Sequence, residues 1–517
     1  MRLDKLNLSE KGGRLTVTAE LLCESESADS VKARAVFSCE NHNRRLPLLT
    51  ESVSGDVTRV KLCYTYLLDK VFYNFKAKNT RLEILVSFEN GELPLSLENA
   101  EISLCRGVSV SENALVISQS LMNKKSHIRL DELKNREILK YVIRRPFVAA
   151  FGMYFKLYCA FHPVVQNRIT IMSGRRKSLG GNSEFVYNIL KNNPKNEIEF
   201  LFFEQKTGFS ALKNLKSFVR LYATSRVVIV DDFFRMLNLV NKREGVKLIQ
   251  LWHACGAFKT FGFTRLGKIG GPLQISKSHR MYDYTFVSSK EVARHYAEGF
   301  GINDYNVIPS GVARCDVFFD DEYKKSVRER LYSENPGLKN KKLILFAPTF
   351  RGNGQQSAYY PIDKLNVNAM MNALGEDYAL IVKLHPFCKE RIKTDETLKN
   401  RVFDFSDRDE LNDLLFITDI LVTDYSSVVF EASLLDIPML FYAFDLEEYI
   451  ASRDFYYDYK SFVPGKIVRS EQELLSSIKN SDFEREKVER FKNKFFDNTD
   501  GGSSQRAADL INSLSEV

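Results

Sequence analysis

A histidine, a glycine and a lysine lie on one short segment that directly follows the strand-forming run VKLIQL. The segment reads LWHACGAFKTFG over residues 251–262, with His253, Gly256 and Lys259 in it. An imidazole titrates near neutrality, so it can take a proton from a hydroxyl group at cellular pH. A lone histidine is more often a packed or surface residue. The loop position and the two neighbours favour His253 as a general base.

A second segment, IVKLHPF, ends a strand-like run at Lys383 and His385. A histidine at a strand end can donate a hydrogen bond to a phosphate oxygen. Pro386 has a fixed φ and therefore defines the turn that presents the histidine. This segment predicts a phosphate contact.

A third segment, DILVTDYSSVVFEAS, predicts a strand that ends at Thr423 and Asp424 and a helix that begins near Ser426. Free backbone amides and the helix dipole make such a helix start an anion site, and the hydroxyls of Ser426 and Ser427 add donors. The simpler alternative is that Asp424 or Ser426 only caps the helix, a contribution of about 1 kcal/mol.

Three arginines are candidates for neutralising phosphate charge, because a guanidinium can bind phosphate through two hydrogen bonds. Arg351 lies in FAPTFRGNG, Arg453 in YIASRDFYYDYKSFVPG, and Arg314 in IPSGVARCDVFF. An exposed arginine is more often an ordinary surface residue, so each is a weak signal by itself.

These candidates depend on the elements that position them. From about residue 165 onward, strand-like runs alternate with helical stretches; the runs are RITIMS, EIEFLFFE, RVVIVDD, VKLIQLW, YTFVSS, NVIPSG, KKLILFAPT, YALIVKLHP, DILVTD and PMLFY. This alternation is typical of an α/β protein with parallel sheets. The length fits two sheets that join near residues 320–340. Chemistry in such sheets lies beyond the carboxyl ends of the strands.

Residues 1–120 have a different pattern, in which apolar and polar positions alternate within short runs separated by turn-like segments. The runs are RLTVTAELL, VKARAVFS, TRVKLCY and RLEILVSF. Period-two alternation indicates half-buried strands. We therefore predict a small antiparallel β-sandwich, an accessory domain.

Residues 121–165 form a basic, aromatic segment. Ten lysines and arginines against three acids occur within residues 121–170. A helix with Arg144, Arg145 and Lys156 beside aromatic side chains could lie on an anionic membrane surface. The alternative, a helix between domains whose aromatics are core residues, is equally compatible with the sequence.

The bulk composition excludes several classes of protein. The chain has 517 residues, 44% apolar content and a formal charge of +8, which fits a folded protein of two or three domains and implies no nucleic-acid partner. No signal peptide and no apolar run of membrane-spanning length are evident, so we expect a cytoplasmic protein. The eight scattered cysteines form no C-x-x-C pair, so zinc sites and disulfides are not expected.

Taken together, the motifs resemble those of the CDP-glycerol glycerophosphotransferases, the teichoic acid primases and polymerases with a GT-B fold. The resemblance runs from about Ser173 to Gly465 and includes WHACGAFKTFG, KLHP, TDYSS and RDFYYDYKSFVPG; the stretch TDYSSVVFEASLLDIPMLFY is its most specific part. The chain departs from the family pattern at Ala254, Glu431 and Asp454. These departures bear on the substrate more than on the chemistry.

The resemblance implies a GT-B fold in which residues 166–325 bind the acceptor and residues 326–517 bind CDP-glycerol or another CDP-polyol. His253 would be the general base, Lys259 would orient the acceptor or offset phosphate charge, and His385 would hold the pyrophosphate. The remaining predicted substrate contacts are Gly256, Arg314, Arg351, Lys383, Thr423, Asp424, Ser426, Ser427, Glu431, which could accept from a ribose hydroxyl, and Arg453.

A lipid-linked or polymeric acceptor and contact with the anionic inner membrane surface are also implied. We expect no cofactor and no metal, because the one D-x-D sequence, Asp407 to Asp409, precedes a helical run and is better explained as a helix cap with first-turn acids. The alternatives are transfer of ribitol phosphate, a GT-B glycosyltransferase that uses a nucleotide sugar, and a membrane-associated polymer-binding protein without catalysis.

Overall fold

The computed structural model describes most of the chain. The described ranges are 2–23, 31–39, 42–54, 58–71, 80–88, 91–106, 108–111, 114–126, 136–202, 209–268, 271–277, 279–352, 357–408 and 410–515. Asp409 of the D-x-D sequence and residues 127–135 of the predicted basic segment lie outside them.

The N-terminal part is a ten-stranded β-sheet with two short helices. Its elements are β1 (Arg2–Lys11), β2 (Arg14–Cys23), β3 (Lys32–Cys39), β4 (His42–Ser54), β5 (Thr58–Leu67), α1 (Leu68–Val71), β6 (Thr80–Phe88), β7 (Gly91–Pro94), β8 (Glu101–Leu104), β9 (Val108–Ser111), β10 (Ala114–Ile117) and α2 (Gln119–Met122). The strand order is β8-β1-β2-β5-β4-β3-β6-β10-β9, with β7 on β6, and the pairs are antiparallel except for β1 with β8.

The four predicted strands are confirmed, but a sandwich of two separate sheets is not. Strand β4 pairs with β3 through its first half and with β5 through its second half, so hydrogen bonds join all ten strands. Period-two alternation buries Leu15, Val17, Ala19 and Leu21 of β2. These side chains belong to one core that also contains Phe263 from the α/β part, so the β-sheet packs directly on the rest of the chain.

A helix of 26 residues, α3 (Arg136–Phe161), connects the β-sheet to the α/β part. Phe151 and Phe155 are buried, and the Phe155 ring lies 5.7 Å from that of Tyr222. Other apolar side chains of α3 are exposed, among them Ile143 and Phe161. Within the described ranges, no helix combines the length and the apolar character that crossing a bilayer requires.

The first α/β unit contains a six-stranded parallel sheet in the order β12-β11-β13-β14-β15-β16. Its elements are β11 (Val165–Ser173), α4 (Asn182–Leu190), β12 (Glu197–Phe202), α5 (Phe209–Thr224), β13 (Ser225–Val230), β14 (Lys247–Gln250), β15 (Tyr284–Phe286), α6 (Lys290–Phe300) and β16 (Val307–Ile308). All six predicted runs of this unit are strands.

The second α/β unit contains another six-stranded parallel sheet, in the order β19-β18-β17-β20-β21-β22. Its elements are α7 (Asp321–Glu334), β17 (Lys342–Phe346), α8 (Val367–Leu374), β18 (Tyr378–Val382), β19 (Val402–Asp404), α9 (Leu411–Leu415), β20 (Ile420–Thr423), α10 (Val428–Leu434), β21 (Met439–Tyr442), α11 (Leu446–Ser452), α12 (Tyr459–Phe462), β22 (Lys466–Val468), α13 (Glu471–Asn480) and α14 (Glu486–Phe495). The short edge strands β19 and β22 were not predicted.

The last helix, α15 (Ser503–Ser515), returns to the first α/β unit. Ala507, Ala508 and Ile511 are buried in the same core as residues of β11, β13 and α4. The carboxylate of Asp316 accepts from the backbone amides of Ser503 and Ser504 at 3.0 and 2.7 Å and so caps the helix. The range 326–517 was predicted as one donor-binding domain. Its last helix, α15, packs with the first sheet and not with the second.

Candidate active site

The loop after β14 carries His253 and is held in an unusual backbone conformation. Trp252 has a φ of 56°, in the left-handed region that residues with a Cβ rarely adopt. The buried side chain of Asn182 donates to the carbonyls of Leu251 and Trp252 at 3.1 and 2.9 Å. Its oxygen accepts from the Arg314 amide at 2.9 Å. Asn182, which the sequence did not single out, therefore fixes the backbone that presents the imidazole.

The imidazole of His253 faces a carboxylate. Its Nδ1 lies 3.4 Å from Oδ1 of Asp232, which follows β13 on the neighbouring strand. Nδ1 itself is buried, although 39% of the side chain is exposed, so the open part of the ring lies away from Asp232. A carboxylate beside Nδ1 favours the tautomer that is protonated there and leaves Nε2 able to accept a proton. Asp232 was missed by sequence reasoning, although the run RVVIVDD ends in two acids.

The surroundings keep His253 neutral. Its pKa is lowered to about 4, mainly by burial and also by the charges of Arg175, Arg314 and Arg176, while Asp232 acts in the opposite direction. A neutral imidazole at cellular pH is the form that accepts a proton.

A basic, glycine-bearing loop between β11 and α4 lies beside His253 and was also missed. It reads GRRKSLGG over residues 174–181. The side chain of Arg175 is 57% exposed, and that of Arg176 lies against Gly180 and Gly181. The hydroxyl of Ser173 accepts from the amides of Arg175 and Arg176, which shapes the start of the loop. The two adjacent arginines between a strand and a helix could have indicated this loop in the sequence.

His385 lies on the second unit, in the loop after β18. Its Nδ1 accepts from the Phe387 amide at 3.1 Å, which leaves the proton on Nε2. The ring packs against Phe350 and Phe387, with centroids 4.7 and 4.5 Å away. Its pKa is lowered to about 4, mainly by burial and also by the charges of Arg175 and Lys259. His385 is therefore a neutral donor that can hydrogen-bond a phosphate oxygen.

His253 and His385 lie in loops that follow strands of the two different sheets. The units that carry them meet close to His253, because the loop after β14 approaches Phe430 of α10 at Gly256 and pairs with Phe455 at Lys259. The charge of Arg175 lowers the pKa of both histidines. A groove with one imidazole on each side stays a prediction.

Lys259 lies where the two units join. The backbone at Lys259 pairs with Phe455 in an antiparallel bridge, the Thr260 amide donates to the Asp454 carbonyl at 2.9 Å, and the Tyr456 amide donates to the Phe258 carbonyl at 2.9 Å. Through this short ladder, the first unit holds the segment that carries the predicted Arg453.

The ammonium of Lys259 lies 5.3 Å from the centre of the Tyr449 ring, and no carboxylate of the described ranges forms an ion pair with it. Burial lowers its pKa to about 7; Asp424 opposes this shift, and Arg453 and Arg351 add to it. A partly desolvated cation without an anionic partner is a suitable contact for phosphate.

Gly256 has a packing role that differs from the predicted substrate contact. Its φ is +68°, and a Cβ at this position would lie 2.2 Å from a ring atom of Phe430 on α10. The loop after β14 can therefore approach the second unit only because residue 256 has no side chain.

We expect Gly256→Ala to lower the free energy of unfolding by roughly 2–4 kcal/mol, because it combines a left-handed backbone with an overlap in the core. Denaturant-induced unfolding measures this loss. Gly375→Ala is the matched control, because Gly375 has a φ of +81° but open space around its Cβ position. Equal losses for the two variants would show that the Phe430 contact is unimportant.

Arg351 and Asp424 pair with each other, contrary to their prediction as substrate contacts. The guanidinium donates to Asp424 at 2.9 Å and to both carboxylate oxygens of Asp445 at 2.7 and 2.9 Å. The side chains of Arg351 and Asp424 are 9% and 1% exposed. Both groups are buried, and their hydrogen bonds go to other groups of the protein. They therefore support the site.

Several other residues that were predicted to contact substrate instead pair with groups of the protein itself. Arg314 forms an ion pair with Glu431, which is 2% exposed, in disagreement with the predicted ribose contact. Lys383 donates to the carbonyls of Phe405 and Arg408 at 2.8 Å each. Arg453 donates to the Gly352 carbonyl at 2.9 Å, and its charge lowers the pKa of Lys259, so it lies near that lysine.

The TDYSS segment lies at the end of β20. Thr423 is fully buried and donates to the Ala347 carbonyl at 2.7 Å. Ser426 and Ser427 are partly exposed, and helix α10 begins at Val428, two residues after the predicted start. Of this segment, only the two serines are open to a ligand.

The D-x-D sequence is not a helix cap, contrary to the prediction. Residue Glu410 occupies the N-cap of α9, and Asp407 instead pairs with Arg391 at 2.7 Å. Over the described ranges, no cluster of three or more histidine, cysteine, aspartate or glutamate side chains has the arrangement of a metal site.

Two six-stranded parallel sheets, in α/β units that meet at Gly256 and Lys259, form a fold of the GT-B type. A solved structure of the wall teichoic acid polymerase TagF has this fold: it matches with a TM-score of 0.58 and 20% identity and covers 75% of this chain and 99% of that one. The family described as CDP-Glycerol:Poly(glycerophosphate) glycerophosphotransferase matches residues 154–513, and the chain belongs to this family. The resemblance seen in the motifs is thereby confirmed.

Three relatives illustrate the similarity. The teichoic acid poly(ribitol-phosphate) polymerase of Bacillus spizizenii is 44% identical over 68% of this chain and 56% of its own length. The ribitol-phosphate polymerase TarL of Staphylococcus aureus is 41% identical over 72% of this chain and 68% of its own. The glycerol-phosphate primase of Bacillus subtilis is 35% identical over 57% of this chain and 76% of its own. The chain thus spans little more than half of the first relative.

Proposed function

We propose that the protein transfers a polyol phosphate from a CDP-polyol to a hydroxyl of a lipid-linked or polymeric acceptor, with release of CMP. The observation that supports this proposal is that His253 and His385 follow strands of two different parallel sheets, whose units meet at Gly256 and Lys259 next to His253. The range 166–325, together with α15, would bind the acceptor, and the rest of the second unit would bind the donor.

In the proposed reaction, Nε2 of His253 takes the proton of the acceptor hydroxyl as its oxygen attacks the β-phosphorus. A new phosphorus–oxygen bond forms, and the bond from the β-phosphorus to the bridging oxygen breaks. CMP leaves with the electron pair of that bond. The proton stays on His253 until it is lost to solvent, and general-base catalysis of this kind contributes roughly 10²–10⁴-fold.

The donor phosphates would lie among His385, Lys259 and Arg175, with Ser426 and Ser427 as further donors. His385 donates from Nε2, and Lys259, whose pKa of about 7 is set by burial, regains its full charge beside a phosphate. Positioning and charge stabilisation are the main requirements of phosphoryl transfer. These groups supply both, so we propose that no resident metal is needed; turnover that persists in excess EDTA would support this.

The pH dependence should reveal the environment of His253. As the pH falls from 8 to about 6, kcat/KM should rise because Lys259, whose pKa is about 7, gains its charge; because the pKa of His253 in the free enzyme is about 4, kcat/KM should then stay level to pH 5 and decline only below that. The donor's phosphates offset the arginine charges, so the acid limb of kcat should lie at higher pH than that of kcat/KM. Steady-state rates at each pH, with pre-incubated enzyme assayed at pH 7.5 as the stability control, test this. Halving of kcat/KM near pH 6.5 would contradict the assignment.

For the polyol, we propose ribitol phosphate, with glycerol phosphate as the second candidate. The sequence motifs favoured glycerol, but the four relatives at 39–44% identity are named for ribitol phosphate and three at 32–35% for glycerol phosphate. Incubation with CDP-ribitol, CDP-glycerol, and UDP- and CDP-sugars, with CMP release as the readout, tests both. Turnover of a nucleotide sugar without CMP release would favour the glycosyltransferase alternative.

We also propose that α3 lies on the inner surface of the membrane. Ile143, Phe147 and Phe161 are 68%, 57% and 80% exposed, and the nearby Arg144 and Arg145 are exposed as well. Exposed apolar side chains beside cations suit an anionic lipid surface. Sedimentation with phosphatidylglycerol vesicles should fall markedly for Phe147→Ser and Ile143→Ser combined; unchanged sedimentation would remove α3 from this role.

A further inference from the structure

A surface groove of about 470 Å³ lies between one face of α3 and the segment that follows β13. Val148, Gly152, Phe155, Leu239 and Val240 are among the residues that line it. None of the site residues described above lines it. The groove therefore belongs to a part of the first unit that the proposed reaction does not use directly.

Gly152 leaves open space in this groove. It lies inside α3, where glycine is unfavourable compared with alanine. A Cβ at this position would meet no atom within 4 Å, so no neighbouring part of the protein requires a glycine. The missing side chain leaves room for something outside the chain.

The lining of the groove also carries basic side chains. Within the described ranges, it includes Lys156, Lys242, Arg243 and Lys277, and no carboxylate. Lys242 pairs with Asp283, and Arg243 donates to two backbone carbonyls, at 2.6 and 2.8 Å. Cations beside apolar side chains complement a ligand with an anionic head and a hydrocarbon chain.

We propose that this groove binds the lipid end of the lipid-linked acceptor, with its phosphate among the cations and the first part of its chain along Gly152. This inference rests on the proposed function for the identity of the ligand. The groove opens on α3, whose neighbouring Met153 and Leu157 are 59% and 54% exposed. A lipid could therefore reach it from the surface on which α3 rests.

The position of the groove relative to His253 favours the acceptor over a bulk phospholipid. Lys277 lies two residues before His279, whose ring centroid is 5.7 Å from that of Trp252, and the Trp252 ring lies 4.4 Å from that of His253. Two ring contacts, through His279 and Trp252, thus connect the backbone beside Lys277 with His253. An acceptor anchored there extends its head toward the reacting atoms.

Two variants test the groove. Gly152→Trp introduces a large ring into the groove, and Gly152→Ala is the matched control because a Cβ at this position meets no atom within 4 Å and leaves most of the space open. For full-length enzyme in detergent, we expect Gly152→Trp to raise the KM of a lipid-linked acceptor at least tenfold with kcat unchanged. The same acceptor without its lipid should react equally well with the wild type, Gly152→Trp and Gly152→Ala. An equal effect on both acceptors, or on neither, would overturn the proposal.

A binding assay separates this inference from the proposed function. Geranylgeranyl phosphate is the probe, and its affinity should fall at least tenfold in Gly152→Trp and in Lys277→Gln, whether or not the enzyme turns over a CDP-polyol. The lipid-linked acceptor should displace the probe, and inorganic phosphate should not. Equal displacement by phosphatidylglycerol would overturn the assignment to the acceptor. Loss of turnover with every donor, together with retained probe binding, would refute the function and leave the groove as a lipid site.

Discussion

Replacement of His253 by alanine should lower kcat by about 10²–10⁴-fold while leaving the KM of the donor nearly unchanged. The imidazole is neutral, lies beside Asp232 and is 39% exposed, so its loss removes the group that we propose to accept the hydroxyl proton. Release of CMP from the CDP-polyol in the presence of acceptor measures the effect.

The control for this prediction is His162→Ala. His162 is an exposed histidine that stacks on Tyr158 at the end of α3. Its replacement should leave the rate unchanged. Full activity of His253→Ala would remove the residue from its role, and a wild-type protein that binds vesicles and polymer but turns over no donor would favour the non-catalytic alternative.

Replacement of Arg351 by methionine should lower the free energy of unfolding by about 3–5 kcal/mol, because it leaves two carboxylates buried without their cation. Asp424 and Asp445 both pair with Arg351, and the side chains of the two aspartates are 1% and 17% exposed. Arg351→Lys should not restore stability, because an ammonium cannot reproduce the bidentate contact. Denaturant-induced unfolding followed by circular dichroism measures both variants.

Arg469→Ala is the control for the buried network. Arg469 pairs with Glu447 at 2.8 Å, but the two side chains are 47% and 69% exposed. Exposed pairs contribute little, so the unfolding midpoint should barely move. A similar loss for Arg351→Met and Arg469→Ala would show that burial does not strengthen the Arg351 network.

Much of the α/β architecture could be predicted from the sequence, because buried parallel strands are nearly continuous apolar runs. All ten predicted runs after residue 165 are strands. The two short edge strands β19 and β22 were missed, since three residues carry too little periodicity. In the N-terminal part, β4 contains Pro47 and several polar residues, which hid a strand that links the two halves of the sheet.

For the candidate site, the positions of residues at strand ends could be predicted from the sequence, but their pairings could not. His253 and His385 each follow a strand, as expected from the rule that chemistry lies beyond the carboxyl ends of parallel strands. Sequence spacing could not show that Arg351 is saturated by Asp445, which lies 94 residues further along the chain. Asp232 was missed because an acid after a strand looks like an ordinary turn residue.

The return of α15 to the first sheet affects how the protein is made. The first sheet is complete at residue 308, yet Ile169, Val186 and Ile229 are covered by a helix that starts at residue 503. At a ribosomal rate of about 5–20 residues per second, this apolar surface stays uncovered for on the order of 10–40 s of synthesis. The first unit therefore reaches its final packing only after α15 has been synthesised.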